Sequence, residues 1–450
     1  MPVAGIAILI YSIYIVLNRR RVNIILIELF ALNLCYEGFI NVGYFVSIGG
    51  QIFKVPDYLQ FLMVIFSLMI LMKQQHGLKL AAFIFLLGLS VVWLIVDPFG
   101  ELVKTFNGVD FVNNLEYMHY PSFDLQTIKT TTRLICFAVN AMAVAVCIDG
   151  ETWEQIKERY FKLGRIVISY AWCEFILKNI LHVSFTENLI RVLFGSDTSI
   201  MTNLNRNGLS VIIGFNNEPS QFAMMLFSYW ILYILSKEWL KQSRVERNIT
   251  ISSLLLMILC GSFRPVGMYP ILILLYLIVT EKPSKAIVIF GVVAIGIGIL
   301  SMTGMTDYYL GRLTRAFDFL KTGDNTIAGG EAGRLSTIVE AFKVFLKRPL
   351  FGIGPGQTFA YGFIPSMLVM TGAAGTISWY NLMFCGIGEL FTNVKSQKWF
   401  WILLVISFAW IYTDSIAIGY SIYVLGIAFV FKFREREEEG CRIGSEDQYE

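Results

Sequence analysis

Residues 78–97, LKLAAFIFLLGLSVVWLIVD, decide the fold class. After Lys79 the stretch stays apolar until Asp97. About twenty mostly apolar residues are enough for an α-helix to cross the hydrocarbon core of a bilayer. Similar stretches recur along the 450 residues, of which 56% are hydrophobic and only 15% charged. A soluble fold with so little charge would expose large apolar patches to water, so the composition excludes a soluble enzyme.

The apolar stretches predict an all-α polytopic membrane protein with about thirteen transmembrane helices. The N-terminal apolar run precedes its arginines instead of following them, so we expect an uncleaved first span. The segment 249–280 is either a tight hairpin around Arg264 or two half-spans. The predicted spans are 3–17, 22–48, 56–72, 78–97, 127–148, 164–184, 218–236, 249–263, 265–280, 286–304, 376–391, 399–414 and 416–432.

Loop charges predict the orientation. Most Lys and Arg residues fall in short loops on one side, which places the N-terminus outside and the C-terminus in the cytoplasm. The predicted domains are 1–304 with helices one to ten and outside loops 98–126 and 185–217, a large extracytoplasmic loop at 305–375, helices eleven to thirteen at 376–432, and a cytoplasmic tail at 433–450.

Several common kinds of site are missing from the sequence. The seven cysteines form no C-x-x-C pair and the three histidines are isolated, so we predict neither disulfides nor a metal site. The sequence has no phosphate-binding G-x-x-x-x-G-K-[ST] loop and no D-x-D. We therefore expect no cofactor and no nucleic-acid partner, and an enzyme here would use an activated substrate that is already membrane-bound.

Charged residues collect at the predicted outer face. Guanidinium groups bind phosphate bidentately and stay charged, so arginines that converge there would suit a lipid diphosphate. The alternative is a scatter of surface arginines that never meet. Glu174 and Lys178 are spaced i, i+4 and are expected to pair. The arginines are Arg133, Arg206, Arg264, Arg312, Arg315 and Arg334.

The large loop has a readable local pattern. From Arg334 onward, apolar residues recur at helical spacing, and Pro349 ends the predicted amphipathic helix. The apolar face of this helix is expected to lie on the membrane surface or to cap the helix bundle. Gly352, Gly354 and Gly356 follow, and glycines permit sharp turns and close approach to a ligand.

Four motifs resemble those of Wzy-type O-antigen and exopolysaccharide polymerases. Gly214-Phe-Asn-Asn-Glu-Pro-Ser-Gln-Phe-Ala resembles the family's G-x-(E/N)-P-(S/N)-x-x-A signature, and Gly261-Ser-Phe-Arg264 resembles its S-R element. Gly333-Arg334 with Lys347-Arg-Pro-Leu-Phe-Gly-Ile-Gly-Pro-Gly resembles a loop pattern shared with O-antigen ligases. Arg312 and Gly323 fit an R-x10-G spacing. The resemblance covers about 205–390 and the general plan of spans.

The resemblance implies a metal-independent glycosyltransferase with a GT-C-like fold in the bacterial cytoplasmic membrane. Its donor would be an oligosaccharide on undecaprenyl diphosphate at the outer face, and its partners membrane lipids, a chain-length regulator and a flippase. Arg264, Arg334 and Arg312 would stabilise the leaving diphosphate, and Glu218 would act as general base or orient the acceptor. The expected substrate-binding residues are Arg206, Arg315, Arg133, Asn217, Gly352, Gly354 and Asn381.

One departure separates polymerase from ligase. Ligases carry a histidine near the end of the large loop, whereas this chain has no histidine after His182. A polymerase is therefore favoured over a ligase. A transporter or flippase is the alternative from another class, although the chain shows no internal repeat of the kind common in transporters.

Overall fold

The computed structural model describes most of the chain in separate stretches. The described residues are 2–40, 46–48, 51–72, 77–110, 115–183, 185–195, 205–206, 209–216, 218–262, 264–280, 291, 294–298, 301, 305–322, 331–357, 360–383, 402 and 404–406.

Helices account for most of these residues, as the composition predicts. The α-helices are α1 Val3–Asn18, α2 Val22–Phe39, α3 Val55–Leu71, α4 Gly77–Val96, α5 Leu125–Cys147, α6 Gly150–Asn179, α7 Thr186–Phe194, α8 Pro219–Leu235, α9 Arg244–Leu259, α10 Pro265–Thr280, α11 Met305–Thr322, α12 Glu331–Lys347 and α13 Phe363–Met383. A single 3-10 turn, Glu238–Leu240, follows α8.

The described strands form three small antiparallel hairpins. They pair β1 Val46–Ile48 with β2 Gln51–Phe53, β3 Val103–Asp110 with β4 Leu115–His119, and β5 Asn205–Arg206 with β6 Leu209–Ser210. The second predicted span, 22–48, is long enough to be either tilted or broken, and the structure shows that it is broken. Its helix ends at Phe39, and Val46–Ile48 belong to a strand.

Among the described residues, three helices are long and apolar enough to cross a membrane. They are Val22–Phe39, Leu78–Val96 and Leu125–Cys147, and each matches a predicted span. Four shorter apolar helices match others, namely Val3–Asn18, Val55–Leu71, Pro219–Leu235 and Gly267–Thr280. The count of thirteen spans is not confirmed, and the predicted spans at 286–304, 399–414 and 416–432 lie largely or wholly outside the described residues.

A polar network joins α3 to α5 inside the apolar core. The Asn140 side chain donates hydrogen bonds to the backbone and side-chain oxygens of Gln60, at 3.0 and 2.7 Å. The Ser67 hydroxyl donates to Asn140 Oδ1 at 2.8 Å. All three residues are at most 5% exposed. Their polar groups satisfy one another, which is how a polar residue is tolerated in an apolar interior.

Gly372 breaks α13 and brings it against the loop after α12. Its φ of +66° and ψ of −173° interrupt the helix, in a region of backbone conformation that belongs almost only to glycine. A Cβ atom at this position would stand 2.2 Å from the Leu350 carbonyl oxygen. The Ala374 backbone N–H donates to that same carbonyl at 3.2 Å. The absence of a side chain at Gly372 therefore allows α13 to pack closely against the start of the glycine-rich loop.

Replacing Gly372 with alanine is expected to destabilise the protein by about 3 kcal/mol or more, since backbone strain and a clash with backbone add together. Gly88→Ala in α4 is the matched control, because a Cβ there meets nothing within 4 Å. The control is expected to be neutral or to stabilise by up to about 1 kcal/mol. Thermal unfolding of the purified variants in detergent measures both. Equal melting temperatures for the two variants would contradict the prediction.

Candidate functional site

The turn between α9 and α10 carries Arg264. α9 ends at Leu259, and α10 begins at Pro265 because proline fits the first turn of a helix, where its missing N–H is not needed. Gly261, with φ of +76°, redirects the chain between them. The Arg264 backbone N–H donates to the Ser262 hydroxyl at 3.3 Å, and the residue is only 6% exposed. The segment thus consists of two helices joined by a turn that buries a guanidinium group.

Tyr361 connects Arg264 to the amphipathic helix α12. The Arg264 Nε–H donates to the Tyr361 hydroxyl at 2.8 Å, and the guanidinium carbon lies 5.2 Å from the centre of the tyrosine ring. The Tyr361 backbone N–H donates to the Thr337 hydroxyl at 3.1 Å. Thr337 lies one turn after Arg334 on α12, so the two residues share a helix face. This chain of contacts joins the S-R element to α12, at a point one helical turn after Arg334.

Tyr309 connects the same turn to α11. Its hydroxyl donates to the Ser262 carbonyl at 2.9 Å. Arg312 follows Tyr309 by one helical turn and Arg315 by two, and both arginines are partly buried. The Arg315 Nε–H has no hydrogen-bond acceptor in the part of the chain that the structure describes. Two arginine-bearing helices are therefore linked to the 260–264 turn, α11 through Tyr309 and α12 through Tyr361.

The glycine-rich loop after α12 packs against helices. Its glycines all have positive φ, and a Cβ on Gly352 would stand 2.2 Å from the Val369 carbonyl oxygen of α13. A Cβ on Gly354 would stand 2.6 Å from the Leu94 side chain of α4. The Ser90 hydroxyl of α4 lies within hydrogen-bond distance of two carbonyl oxygens, that of Phe351 in the loop and that of Met370 in α13. Close helix packing is sufficient to account for glycine at 352 and 354, and their role in substrate binding stays a prediction.

Gln357 fixes the end of this loop on α5. Its amide nitrogen donates to the Thr127 hydroxyl at 2.6 Å, and its amide oxygen accepts from the Ser122 backbone N–H at 2.8 Å. Gln357 is 1% exposed, so these hydrogen bonds replace water that the side chain would otherwise need. The loop that presents Tyr361 is thereby held at the start of α5.

An ion pair fixes the end of α12 on the end of α4. The Arg348 guanidinium donates to the Asp97 carboxylate and lies 5.7 Å from the centre of the Trp93 ring. The hydrogen bond from Arg348 holds the pKa of Asp97 below its ordinary value, so the carboxylate stays ionised at neutral pH. Lys347 forms a second pair with Glu101. These contacts limit how far α12 and its Thr337 can move from the 260–264 turn.

Glu218 lies at the start of α8, partly exposed. Its backbone precedes Pro219, and its carboxylate accepts a hydrogen bond from the Ser220 hydroxyl. Glu218 is the N-cap residue of α8, where a negative charge complements the helix dipole, although its carboxylate makes no capping bond to the backbone there. An acidic group beside a hydroxyl on a partly open surface is chemically able to accept a proton.

The segment before Glu218 is held by a buried ion pair on α6. Lys178 Nζ lies 2.6 Å from the Glu174 carboxylate, and the two side chains are 4% and 0% exposed. Glu174 also accepts the backbone N–H of Gly214 at 2.8 Å, while Lys178 donates to the Val211 carbonyl at 3.2 Å. The predicted Glu174–Lys178 pair is confirmed, and it anchors the strand that leads into the Gly214–Ala223 motif.

Asn216 is a candidate residue that the motif comparison missed. It is 1% exposed, and its side-chain nitrogen has no hydrogen-bond partner in the part of the chain that the structure describes. A buried amide with an unused donor is unusual and calls for an explanation. The sequence analysis named its neighbour Asn217, which lies outside the described residues. Tyr361 and Tyr309 were also missed, because neither belongs to a motif.

The described contacts do not bring four further predicted site residues to the 260–264 turn. Arg133 pairs with the buried carboxylate of Asp57 at 2.7 Å, so its charge is already balanced within the protein. Arg206 belongs to the β5–β6 hairpin, where only its backbone is described. Asn381 is exposed on α13. The structure places Arg334 on α12 by its backbone, and its side chain lies outside the description.

Comparison with known proteins adds no assignment. No protein-family model matches the chain, and no curated protein is significantly similar to it.

Proposed function

We propose that the chain is a metal-independent glycosyltransferase that polymerises lipid-linked oligosaccharides at the outer face of a bacterial cytoplasmic membrane. The substrates would be repeat units on undecaprenyl diphosphate, as the motif resemblance implies. The supporting observation is the link from Arg264 through Tyr361 to Thr337 on α12. Residues almost a hundred positions apart meet there, and α12 is the helix that also carries Arg334 of the G-R element.

The proposed reaction is the displacement of a diphosphate by a sugar hydroxyl. The acceptor oxygen bonds to the anomeric carbon of the donor, and the bond from that carbon to the diphosphate oxygen breaks. Negative charge develops on the leaving diphosphate, and Arg264, Arg312 and Arg334 would together stabilise it. Glu218 would accept the proton of the attacking hydroxyl. Undecaprenyl diphosphate then leaves with its electron pair, and no metal enters these steps.

The surrounding contacts support positioned arginines. An arginine stabilises a transition state best when its guanidinium is already fixed where charge develops. Arg264 is held by the Tyr361 hydroxyl and ring, and Tyr361 is held by Thr337. Burial strengthens the interaction of a guanidinium with a nearby phosphate, because less water screens it. An N-outside, C-inside orientation would put this site on the face where the lipid-linked sugar is displayed.

The experiment is reconstitution of the purified protein in lipid vesicles with lipid-linked repeat units as the only substrate. We expect a ladder of polymer on a gel, with no other acceptor supplied. Arg334→Ala is expected to stop extension after the first repeat unit, because it removes a charge from the proposed diphosphate site. Lys343→Ala, an exposed cation on the same helix, should leave the ladder unchanged. Product that forms only when a different acceptor is added would indicate a ligase instead.

A further inference from the structure

The amphipathic helix α12 has two apolar faces instead of one. Ala341 and Val344 are buried and pack with Phe99 and Val103 at the start of the β3–β4 hairpin. This face packs against the residues after α4 and against Val369 of α13, in a cluster separate from the main core. The second face lies on the opposite side of the helix and needs its own explanation.

The second face is an exposed stripe made of Val339, Phe342 and Leu346. The three residues are spaced i, i+3 and i+7, and they are 39%, 44% and 74% exposed. Leu350 follows in the loop with 63% exposure. Three large apolar side chains in one row on a helix, with a fourth in the loop that follows, are unfavourable in water, and such rows mark interaction surfaces.

Contacts between the end of α12 and α4 indicate how deep this stripe lies relative to the membrane. α4 contains the candidate span Leu78–Val96, and Asp97 is the first charged residue after it. Asp97 pairs with Arg348 at the end of α12. Phe351 lies 6.2 Å from Trp93, ring centre to ring centre, on the last turn of the span. The end of α12 is therefore level with the point at which α4 leaves the hydrocarbon core.

The exposed apolar surface continues from α4 onto α12. Val92 and Val96 near the end of α4 are 53% and 73% exposed, as expected of side chains that face lipid. Trp93 is 40% exposed beside them, and tryptophan is enriched where a span meets the headgroup layer. The contact between Trp93 and Phe351 joins this surface to the end of the α12 stripe.

We propose that the exposed stripe of α12 lies in the lipid monolayer, at the boundary between headgroups and acyl chains. The inference rests on the membrane location in the proposed function. A helix with an apolar stripe and cations on its flank typically lies in this boundary, about 5–10 Å into the bilayer. Lys343 and Lys347 lie on one flank, with side chains 67% and 53% exposed.

Apolar burial, not charge, holds the helix in this position. Lys343 pairs with Glu340 and Lys347 pairs with Glu101, so each cation has an acidic neighbour. The proposal therefore requires no anionic lipid. The position also has a consequence for the site, because α12 carries Thr337, to which Tyr361 and Arg264 are linked. An interfacial α12 would hold the arginines level with lipid phosphates, where a lipid diphosphate presents its charge.

The test places an environment-sensitive fluorescent amino acid at position 346 by stop-codon suppression in the full chain. The purified protein is inserted into nanodiscs that contain lipids brominated near the headgroup end of the acyl chain. We expect blue-shifted emission and strong quenching by bromine at 346, and the same at 342. Position 340, on the polar flank of the same helix, is the control and is expected to show neither. Neutral and anionic lipids should give the same result.

Three outcomes would overturn the proposal. One is emission at 346 that resembles a water-exposed probe, which would place the stripe in solvent. Another is equal quenching at 340 and 346, which would place the helix inside the bilayer instead of at its boundary. A third is blue-shifted emission without bromine quenching, which would show that protein covers the stripe. None of these readouts needs catalysis, so they are independent of whether the vesicles make polymer.

Discussion

Arg264→Ala is expected to reduce polymer formation by about 100-fold or more, which leaves products with a single repeat unit. Removal of one fixed donor to a developing negative charge typically lowers turnover by about 100- to 1000-fold. Arg264 is buried and bonded to Tyr361, so its guanidinium is fixed before substrate binds. The measurement is the rate of chain extension in reconstituted vesicles, together with the thermal unfolding of each variant, so that loss of activity is separated from loss of fold.

Arg264→Lys is expected to fail nearly as severely. Lysine supplies a point charge, whereas arginine presents a planar set of donors that matches a phosphate. Lysine also has no Nε–H to donate to the Tyr361 hydroxyl. Tyr361→Phe keeps the ring next to Arg264 but removes that hydroxyl, and a smaller loss is expected because the guanidinium is then less well fixed.

The matched control is Arg191→Ala. Arg191 is an exposed arginine on α7, in a segment that is also predicted to lie outside, and its guanidinium donates to Asn188 at 3.1 Å. Arg191→Ala changes the net charge by the same amount as Arg264→Ala does, and it should leave the polymer ladder on the gel unchanged. Polymer of normal length and rate from Arg264→Ala would refute the assignment of the 260–264 turn as the diphosphate site.

Local patterns predicted the parts of this site that depend on neighbours in sequence. The spacing of apolar residues predicts α12, the proline at 265 marks the start of α10, and the i, i+4 spacing predicts the pair of Glu174 with Lys178. Each of these features is decided within one or two helical turns, so no knowledge of the fold is needed.

Features that depend on distant contacts were not predictable. Arg133 was grouped with the substrate arginines because its partner Asp57 lies 76 positions earlier in the chain. In the sequence, the glycines at 352 and 354 resemble a ligand-binding loop. Only the fold shows that α13 and α4 pack closely against them. Tyr361 carries no sequence signal, since a tyrosine in an apolar chain is ordinary and only the fold brings it to Arg264.

Loss of Lys178 is expected to destabilise the protein by about 3–5 kcal/mol, which is typical when one partner of a buried ion pair is removed. Lys178→Met leaves the Glu174 carboxylate fully buried without its counter-charge. Lys241→Met is the matched control, because the Lys241–Glu154 pair is 57% and 42% exposed. An exposed pair contributes about 0–1 kcal/mol, so this control should unfold almost as the unmodified protein does.

Replacing Glu174, the other partner of the ion pair, tests how each charge of the pair contributes to stability. Glu174→Leu leaves a buried ammonium and also removes the acceptor for the Gly214 and Ile213 backbone N–H groups, so it should destabilise more than Lys178→Met. The double variant should lose less stability than the sum of the two single variants, because neither charge is then left alone. Denaturant titration in detergent measures all four free energies of unfolding. If Lys178→Met proves no less stable than Lys241→Met, the ion pair does not hold the Gly214–Ala223 motif against α6, and the position of Glu218 must depend on other contacts.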